Sequence, residues 1–123
     1  MAKKPRKPTT NRKKITLVSI KRSNAPGKKY TATFKINHGN RITFKKTHFG
    51  AKGMSDFTKH KDIERRQRYI KRHKKDLNTN DPTRAGYLSM FVLWNKKTLA
   101  ASVADYKKRL SVYNKTGKFN KKI

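Results

Sequence analysis

Two histidines and two aspartates, His48, Asp56, His60 and Asp62, lie within 15 residues of one another and could ligate a metal ion. Imidazole nitrogens and carboxylate oxygens bind zinc at about 2.0–2.2 Å, so such a set could form a nuclease-like site. The spacing matches no H-E-x-x-H motif, and the chain has no cysteine. We expect the aspartates to cap helices and pair with Lys or Arg, with the histidines as hydrogen-bond partners. The sequence therefore predicts no metal site, no cofactor and no catalytic residue.

The same region predicts a hydrogen-bond network that joins the last strand of a sheet to the first long helix. Its expected members are His48, Ser55, Asp56, Thr58, His60 and Asp62, with Asn95 and Asp105 reaching it from a later segment. The intervening Gly50–Gly53 segment is too short for a P-loop. Its backbone amides could hold one phosphate, although a simple turn is the plainer interpretation.

A dense run of basic side chains follows these acids. Asp62 and Glu64 occupy the first turn of a predicted helix, where negative charge suits the helix dipole, and no further acid occurs until Asp76. We expect this helix to contact an anion, and we expect Tyr69 within it to pack on the sheet and not to stack on a base. The basic residues of the run are Arg65, Arg66, Arg68, Lys71, Arg72, Lys74 and Lys75.

The chain as a whole carries a formal charge of +29, from 35 Lys and Arg against 6 Asp and Glu in 123 residues. Self-repulsion on this scale destabilises a compact state, which indicates a polyanionic partner. No zinc-finger or aromatic RNP motif is present, so we expect phosphate contacts without base readout. Besides the helical run, the predicted polyanion-binding residues are Lys3, Lys4, Arg6, Lys7, Arg12, Lys13, Lys14, Lys107, Lys108 and Arg109.

Composition limits the fold to one small domain with basic extended arms. Only 33% of the residues are hydrophobic, no apolar run approaches the length of a membrane span, and the N-terminus lacks the apolar core of a secretory signal. A membrane partner and a small-molecule substrate are therefore not expected. The boundaries that composition indicates are an N-terminal arm at 1–14, a domain at 15–113 and a C-terminal arm at 114–123.

Period-two patterns predict three antiparallel strands between residues 15 and 49. Tyr30, Ala32, Phe34 and Ile36 alternate with Lys and Thr, and Asn37–Asn40 is a hairpin signal. The third strand places Ile42 and Phe44 on one face. We therefore expect a sheet with one apolar and one basic face.

The remaining domain is predicted to be helical, which makes the fold class α+β. Ser55 could cap a short turn, Pro82 is placed to begin a helix, and Thr98 is a plausible N-cap. The segment from Tyr87 to Trp94 is apolar on nearly every side and should be buried. A clean helical stripe of Leu99, Val103, Tyr106 and Leu110 should pack on Tyr30, Phe34 and Ile36 of the sheet. We expect two or three helices on the apolar face of the sheet.

Three blocks of the chain carry a family resemblance: Lys29–Phe34; Thr47–Asp62, with Glu64–Arg66 and Arg68–Ile70; and Leu93–Leu99, with Ser102, Asp105 and Arg109. These blocks resemble a family of small basic proteins from the nucleocytoplasmic large DNA viruses of algae and amoebae. The resemblance covers about two thirds of the chain and leaves out the N-terminal arm. It implies no established activity and no catalytic residue, but it does imply an abundant, virion-associated protein.

The resulting hypothesis is a non-enzymatic viral structural protein that binds double-stranded genomic DNA through its phosphates. It would be found in the virion, and in the host cytoplasm or nucleus during infection. One alternative is a minor capsid protein whose basic arms bridge acidic capsomer surfaces. A ribosomal-type RNA-binding protein fits the composition equally well.

Overall fold

The computed structural model describes residues 13–123, which form a three-stranded antiparallel sheet covered on one face by helices. The strands are β1 (Lys14–Arg22), β2 (Lys28–Asn37) and β3 (Ile42–Ala51), in the order β1-β2-β3. The predicted α+β class and three-stranded sheet are therefore confirmed. Of the predicted N-terminal arm, residues 1–12 lie outside the described residues, Lys13 is exposed and Lys14 begins β1.

The helical part consists of several short segments followed by one long helix. These are α1 (Phe57–His60), α2 (Ile63–His73), a 3₁₀ helix (Lys74–Thr79), α3 (Ala85–Leu88), a π-helical turn (Ser89–Leu93) and α4 (Leu99–Thr116). The predicted helix start at Pro82 is wrong by three residues, because Asp81 accepts bonds from the Thr83 amide and hydroxyl and forms a turn first. Within residues 13–123, no helix has both the length and the apolar character needed to cross a bilayer.

The inner face of β2 agrees with the predicted alternation, but the third strand does not. Ala32 and Phe34 are fully buried. In the β2–β3 register, however, Phe34 pairs with Lys45 and Lys35 pairs with Phe44. Directly paired residues share a face, so Phe44 lies on the outer face with Lys35 and is 66% exposed. The prediction that one face is apolar and the other basic is therefore wrong for β3, because the hairpin register overrides the apolar pattern of that strand.

Polar groups replace the missing apolar ones on the inner side of β3. The Lys45 ammonium donates to the Thr83 hydroxyl at 2.9 Å, and the Thr47 hydroxyl donates to the Thr83 carbonyl at 2.9 Å. Only further along the strand does an aromatic ring, Phe49, complete the core beside Tyr30. The half of β3 nearest the β2–β3 hairpin is thus attached to the helical layer by hydrogen bonds.

The core lies between the sheet and the segment from Tyr87 to Trp94, which is buried throughout except for the half-buried Ser89. The buried tyrosine hydroxyls are satisfied: Tyr87 donates to the Leu77 carbonyl and Tyr106 to the Pro82 carbonyl, both at 2.6 Å. The predicted α4 stripe packs inward, with Tyr106 fully buried and its ring centroid 6.4 Å from that of Phe34. The Tyr106 bond ties the long helix to the loop before α3, and the Tyr87 bond ties α3 to the 3₁₀ helix.

The predicted C-terminal arm at 114–123 belongs to the folded domain. Helix α4 continues to Thr116, the Asn114 side chain bonds both backbone groups of Ile15, and Phe119 is only 8% exposed. The Phe119 ring lies edge-on to Tyr87 and Phe91 at centroid distances of 5.3 and 5.1 Å. The Phe119 ring and these hydrogen bonds together hold the basic segment on the core.

We predict that Phe119→Ala lowers the free energy of unfolding by about 3–5 kcal/mol, as expected when a buried aromatic ring is removed. Urea denaturation followed by circular dichroism measures this change. Val112→Ala is the control, because Val112 is 44% exposed on α4 and its truncation should change stability by less than about 0.5 kcal/mol. Equal stability of the two variants would show that residues 117–123 lie outside the domain.

Candidate nucleic-acid interface

A cleft of about 620 Å³ separates helix α2 from the sheet. Residues around Gly27 and Gly50 form one wall, α2 forms the opposite wall, and Leu93 and Trp94 lie between them. The antiparallel order brings the β1–β2 turn and the end of β3 to the same end of the sheet, where the Lys52 amide donates to the Gly27 carbonyl at 2.9 Å. The cleft therefore lies at the end of the sheet away from the β2–β3 hairpin.

Helix α2 lines the cleft with three arginines, Arg65, Arg68 and Arg72. Their i, i+3, i+7 spacing places them on one face of the helix. The helix begins where Asp62 accepts hydrogen bonds from the amides of Glu64 and Arg65. All three guanidinium groups are exposed, and within residues 13–123 none of them forms a hydrogen bond or ion pair. Each can therefore bind an external anion without breaking an internal contact.

A stack of aromatic rings positions this helix. The ring of Tyr69 lies parallel to that of Trp94, with centroids 4.3 Å apart and planes at 3°, and His73 stacks on the other face of Tyr69 at 4.2 Å. Burial raises the pKa of Tyr69 to about 12. The prediction that Tyr69 packs on the sheet is wrong, because the Tyr69 ring packs on Trp94 instead. The stack determines which way the arginine face points.

Two carboxylates also line the cleft, and each has a cationic or imidazole partner. Asp56 is 2% exposed and accepts from the Lys29 ammonium at 2.6 Å. Asp76 contacts His73 at 3.1 Å. Since Arg65, Arg68 and Arg72 remain free of such partners, the cleft carries net positive charge.

A second depression, of about 430 Å³, continues from the first and shares Lys28, Lys29 and Met54 with it. It adds three exposed cations, and we call the combined surface the basic cleft. Its seven exposed cations are Arg22, Lys28, Lys52, Lys59, Arg65, Arg68 and Arg72.

Four of these cations, Arg22, Lys28, Lys52 and Lys59, were not among the predicted binding residues. They lie near turns and strand ends that are far apart in sequence, and no charge run marks them. Recognising them from the sequence would require the strand register, which brings the Lys28 end of β2 beside Ala51.

Two predicted binding residues are instead part of the fold. The Arg66 guanidinium donates to the Asn95 carbonyl at 3.0 Å and lies over the Phe57 ring. The Arg109 guanidinium bonds Asp105 at 2.6 Å and the carbonyls of Asn120 and Lys122, and it lies 4.7 Å from the Phe91 centroid. Both guanidinium groups therefore hold contacts within the fold, and neither lines the basic cleft.

The other predicted cations do not line the cleft. On and just after α2, Lys71, Lys74 and Lys75 are exposed away from it, and Lys107 and Lys108 are exposed on α4. Lys13 and Lys14 are exposed at the start of β1. Lys3, Lys4, Arg6, Lys7 and Arg12 lie outside the described residues.

The predicted hydrogen-bond network between strand and helix divides into separate parts. His48 lies on the outer face of the sheet, where it contacts the hydroxyls of Ser23 and Thr31 at 2.8 and 2.7 Å. Asp56 caps α1 and bonds Thr58 and Lys29, whereas the His60 ring accepts from the Asp62 amide at 2.9 Å. The part of the chain that the structure describes brings together no three His, Asp or Glu side chains able to hold a metal.

Asn95 and Asp105 form a further part of this polar structure. The Asn95 side-chain amide donates to Asp105 at 2.7 Å, and the Asn95 backbone carbonyl accepts from Arg66. The connection to α2 therefore runs through Arg66 and not through the predicted His48 and Asp56. Arg109 completes the chain on α4.

Residues 18–73 match the model of a protein family of unknown function, DUF5754. The matched segment contains most of the sheet and ends at the last residue of α2, so it includes all seven cations of the basic cleft. No curated protein and no solved structure matches this chain.

We predict that Asp56→Ala destabilises the protein by about 3–5 kcal/mol, because it leaves the Lys29 ammonium, 11% exposed, without its ion-pair partner. Asp62→Ala is the control: Asp62 is also an N-cap but is exposed, so its loss should cost about 1 kcal/mol. Chemical denaturation measures both changes. The double variant Asp56→Ala/Lys29→Met should recover much of the loss. Equal losses for Asp56→Ala and Asp62→Ala would contradict a structural role for this ion pair.

We predict that His60 makes the protein less stable below pH 6.5. Burial lowers the pKa of His60, and Arg65 lowers it further, whereas the unfolded chain keeps the ordinary value of about 6.5. The unfolded state therefore binds a proton more readily, and stability falls as the pH drops through this range. His60→Gln should reduce the fall in melting temperature between about pH 7 and pH 5. His38→Gln, measured in parallel, separates the contribution of His38, whose pKa burial and Arg41 also lower. An unchanged fall in His60→Gln would contradict the assignment.

Proposed function

We propose that this protein is non-enzymatic and binds double-stranded DNA through phosphates in the basic cleft, without sequence specificity. The observation that carries the proposal is the set of three arginines, Arg65, Arg68 and Arg72, exposed on one face of α2 without internal partners. Arginine presents several donors in a rigid fork that matches phosphate oxygens. Four further cations continue the same surface beyond the helix.

The charge of the whole chain supports a polyanion over a small anion. At +29, the folded protein repels itself, and a partner with many phosphates relieves that repulsion at many positions at once. Phosphate contacts position a protein on DNA but carry no sequence information, which suits a chain without a recognised base-reading motif. Binding to the folded state would also stabilise the fold.

The viral setting is part of the proposal and depends on the resemblance to giant-virus proteins. Most of the residues that carry the resemblance lie within the segment that also forms the basic cleft. In a virion, packaged genomic DNA would be the polyanion, and the protein would neutralise it. The alternative, a minor capsid protein on acidic capsomer surfaces, uses the same cations and is an outcome of the test below.

We predict a steep, sequence-independent salt dependence of duplex binding, measured by fluorescence anisotropy with two duplexes of unrelated sequence. Each phosphate neutralised should contribute roughly −0.9 to the slope of log affinity against log salt. With six or more contacts, affinity should fall on the order of 1,000-fold between 50 and 200 mM salt. A slope near zero would remove the DNA proposal and favour acidic capsid protein.

Matched triple variants test whether the cleft is the site. Replacing Arg65, Arg68 and Arg72 by Gln should make the salt slope less negative by about 2.7, since three phosphate contacts are lost. Replacing Lys71, Lys74 and Lys75 by Gln removes the same charge outside the cleft and should change the slope by less than about 1. Equal effects of the two triple variants would contradict binding in the cleft and indicate a diffuse attraction by net charge.

A further inference from the structure

The face of the sheet opposite the helices is open within the described residues, and it presents apolar side chains. Ile42 is 51% exposed and Phe44 is 66% exposed, and their pairing with Asn37 and Lys35 places both on the outward side of β3. Contiguous exposed apolar side chains such as these are typical of binding surfaces, whereas single ones are common on any protein. We call this the outer sheet face: Lys14, Thr16, Ser19, Lys21, Thr31, Thr33, Lys35, Asn37, Ile42, Phe44, Lys46 and His48.

The outer sheet face is basic as well as apolar. It carries four lysines, and no strand contains an acid, because all six acids of the chain lie outside β1, β2 and β3. Lys35 is directly opposite Phe44 in the β2–β3 pairing, and Lys46 lies two residues further along the same strand. Adjacent strands are about 4.8 Å apart, so Lys35 lies on the strand next to Phe44, and Lys46 follows Phe44 on the same face of β3.

We propose that the outer sheet face binds a single-stranded polynucleotide, with an unpaired base stacked on Phe44 and phosphates held by Lys35 and Lys46. A positive groove combined with an exposed aromatic ring is the combination that single-strand-binding proteins use. Undistorted duplex DNA offers the ring no unpaired base, because its bases are already stacked and paired. The inference goes beyond phosphate binding in the basic cleft.

Charge argues for a nucleic acid and against the other occupants. A second copy of this chain, docked face to face, would bring lysines against lysines. Residues 1–12 carry five Lys and Arg and no acid, so they too are repelled from this face. A polyanion with flat apolar bases complements both the lysines and Phe44.

The outer sheet face and the basic cleft are separate surfaces. Phe44 and Lys35 lie towards the β2–β3 hairpin, where Asn37 pairs with Ile42. The cleft lies at the other end of the sheet, where Lys28 pairs with Ala51, and on the helical side. Variants in one surface can therefore be read independently of the other.

The test is the affinity for a labelled oligothymidylate of about 20 nucleotides, longer than a typical single-strand site of 4–16 nucleotides. Phe44→Ala should weaken binding on the order of 10-fold by removing one stacked base, whereas Phe44→Trp should bind at least as tightly as the native chain. The salt slope of Phe44→Ala should stay the same, because no phosphate contact is lost. Val112→Ala, which truncates an exposed apolar side chain on α4, should have no effect on affinity.

A second variant tests the phosphate contacts. Lys35→Gln/Lys46→Gln should make the salt slope for oligothymidylate less negative by about 1.4, at roughly 0.7 per phosphate for single strands. The same variant and Phe44→Ala should bind duplex DNA nearly as well as the native chain. Loss of duplex binding in the Arg65/Arg68/Arg72 triple variant, with oligothymidylate binding retained, would support two sites.

Three results would overturn the inference. Native affinity for oligothymidylate in Phe44→Ala would show that the ring stacks on no base. Loss of oligothymidylate binding in the arginine triple variant alone would place single strands in the basic cleft and leave the duplex proposal intact. A native dimer that Phe44→Ala converts to a monomer, seen by analytical ultracentrifugation, would make this face a contact between copies.

Discussion

The stack of Tyr69 on Trp94 is the contact on which the basic cleft depends. Helix α2 has no fully buried residue, so it cannot be held by an apolar stripe in the usual way. Its orientation relies on this stack, on the bond from Arg66 to the Asn95 carbonyl, and on Leu77 in the following 3₁₀ helix. Trp94 is in turn the end of the buried segment that packs on the sheet. The arginine face of α2 is thereby fixed relative to the core.

The fold resolves a conflict between a small core and a large positive charge by separating the two. Aromatic rings from the sheet, the buried segment, α4 and the C-terminal residues meet in one cluster, while nearly all cations remain at the surface. Among residues 13–123 the exceptions are Lys29, Lys45, Arg66 and Arg109, each tied to a carboxylate, a hydroxyl, a carbonyl or a ring. This separation leaves many exposed cations with no internal role, which is the state expected of a polyanion-binding protein.

Periodicity was a good guide wherever one apolar pattern dominated. The strands, the buried segment from Tyr87 to Trp94 and the α4 stripe followed from alternation and helical spacing. The face of β3 did not, because the hairpin register turns Ile42 and Phe44 outward, although they are the apolar residues of that half of the strand. The C-terminal segment did not follow either, since the buried Phe119 ring and hydrogen bonds to Ile15 and Arg109 outweigh its basic composition.

The candidate site was only partly predictable, for a related reason. A charge run marks α2 as an anion-binding helix, and three of its arginines line the cleft. Spacing alone cannot distinguish Arg66, which contacts the core, from Arg65, its neighbour in the cleft. The cations at the end of the sheet beside the basic cleft come together through strand pairing, as do Phe44 and Lys35 on the outer sheet face. Such contacts depend on register and tertiary packing.

The most direct test of the central claim is the set of backbone amide shift changes when a short duplex is added to isotope-labelled protein. Binding in the basic cleft predicts the largest changes in α2 around Arg65, Arg68 and Arg72, and in the turn from Lys52 to Ser55. Small changes are expected on the exposed surface of α4 around Lys107 and Lys108. Changes centred on α4, or spread evenly over every exposed lysine, would contradict the account.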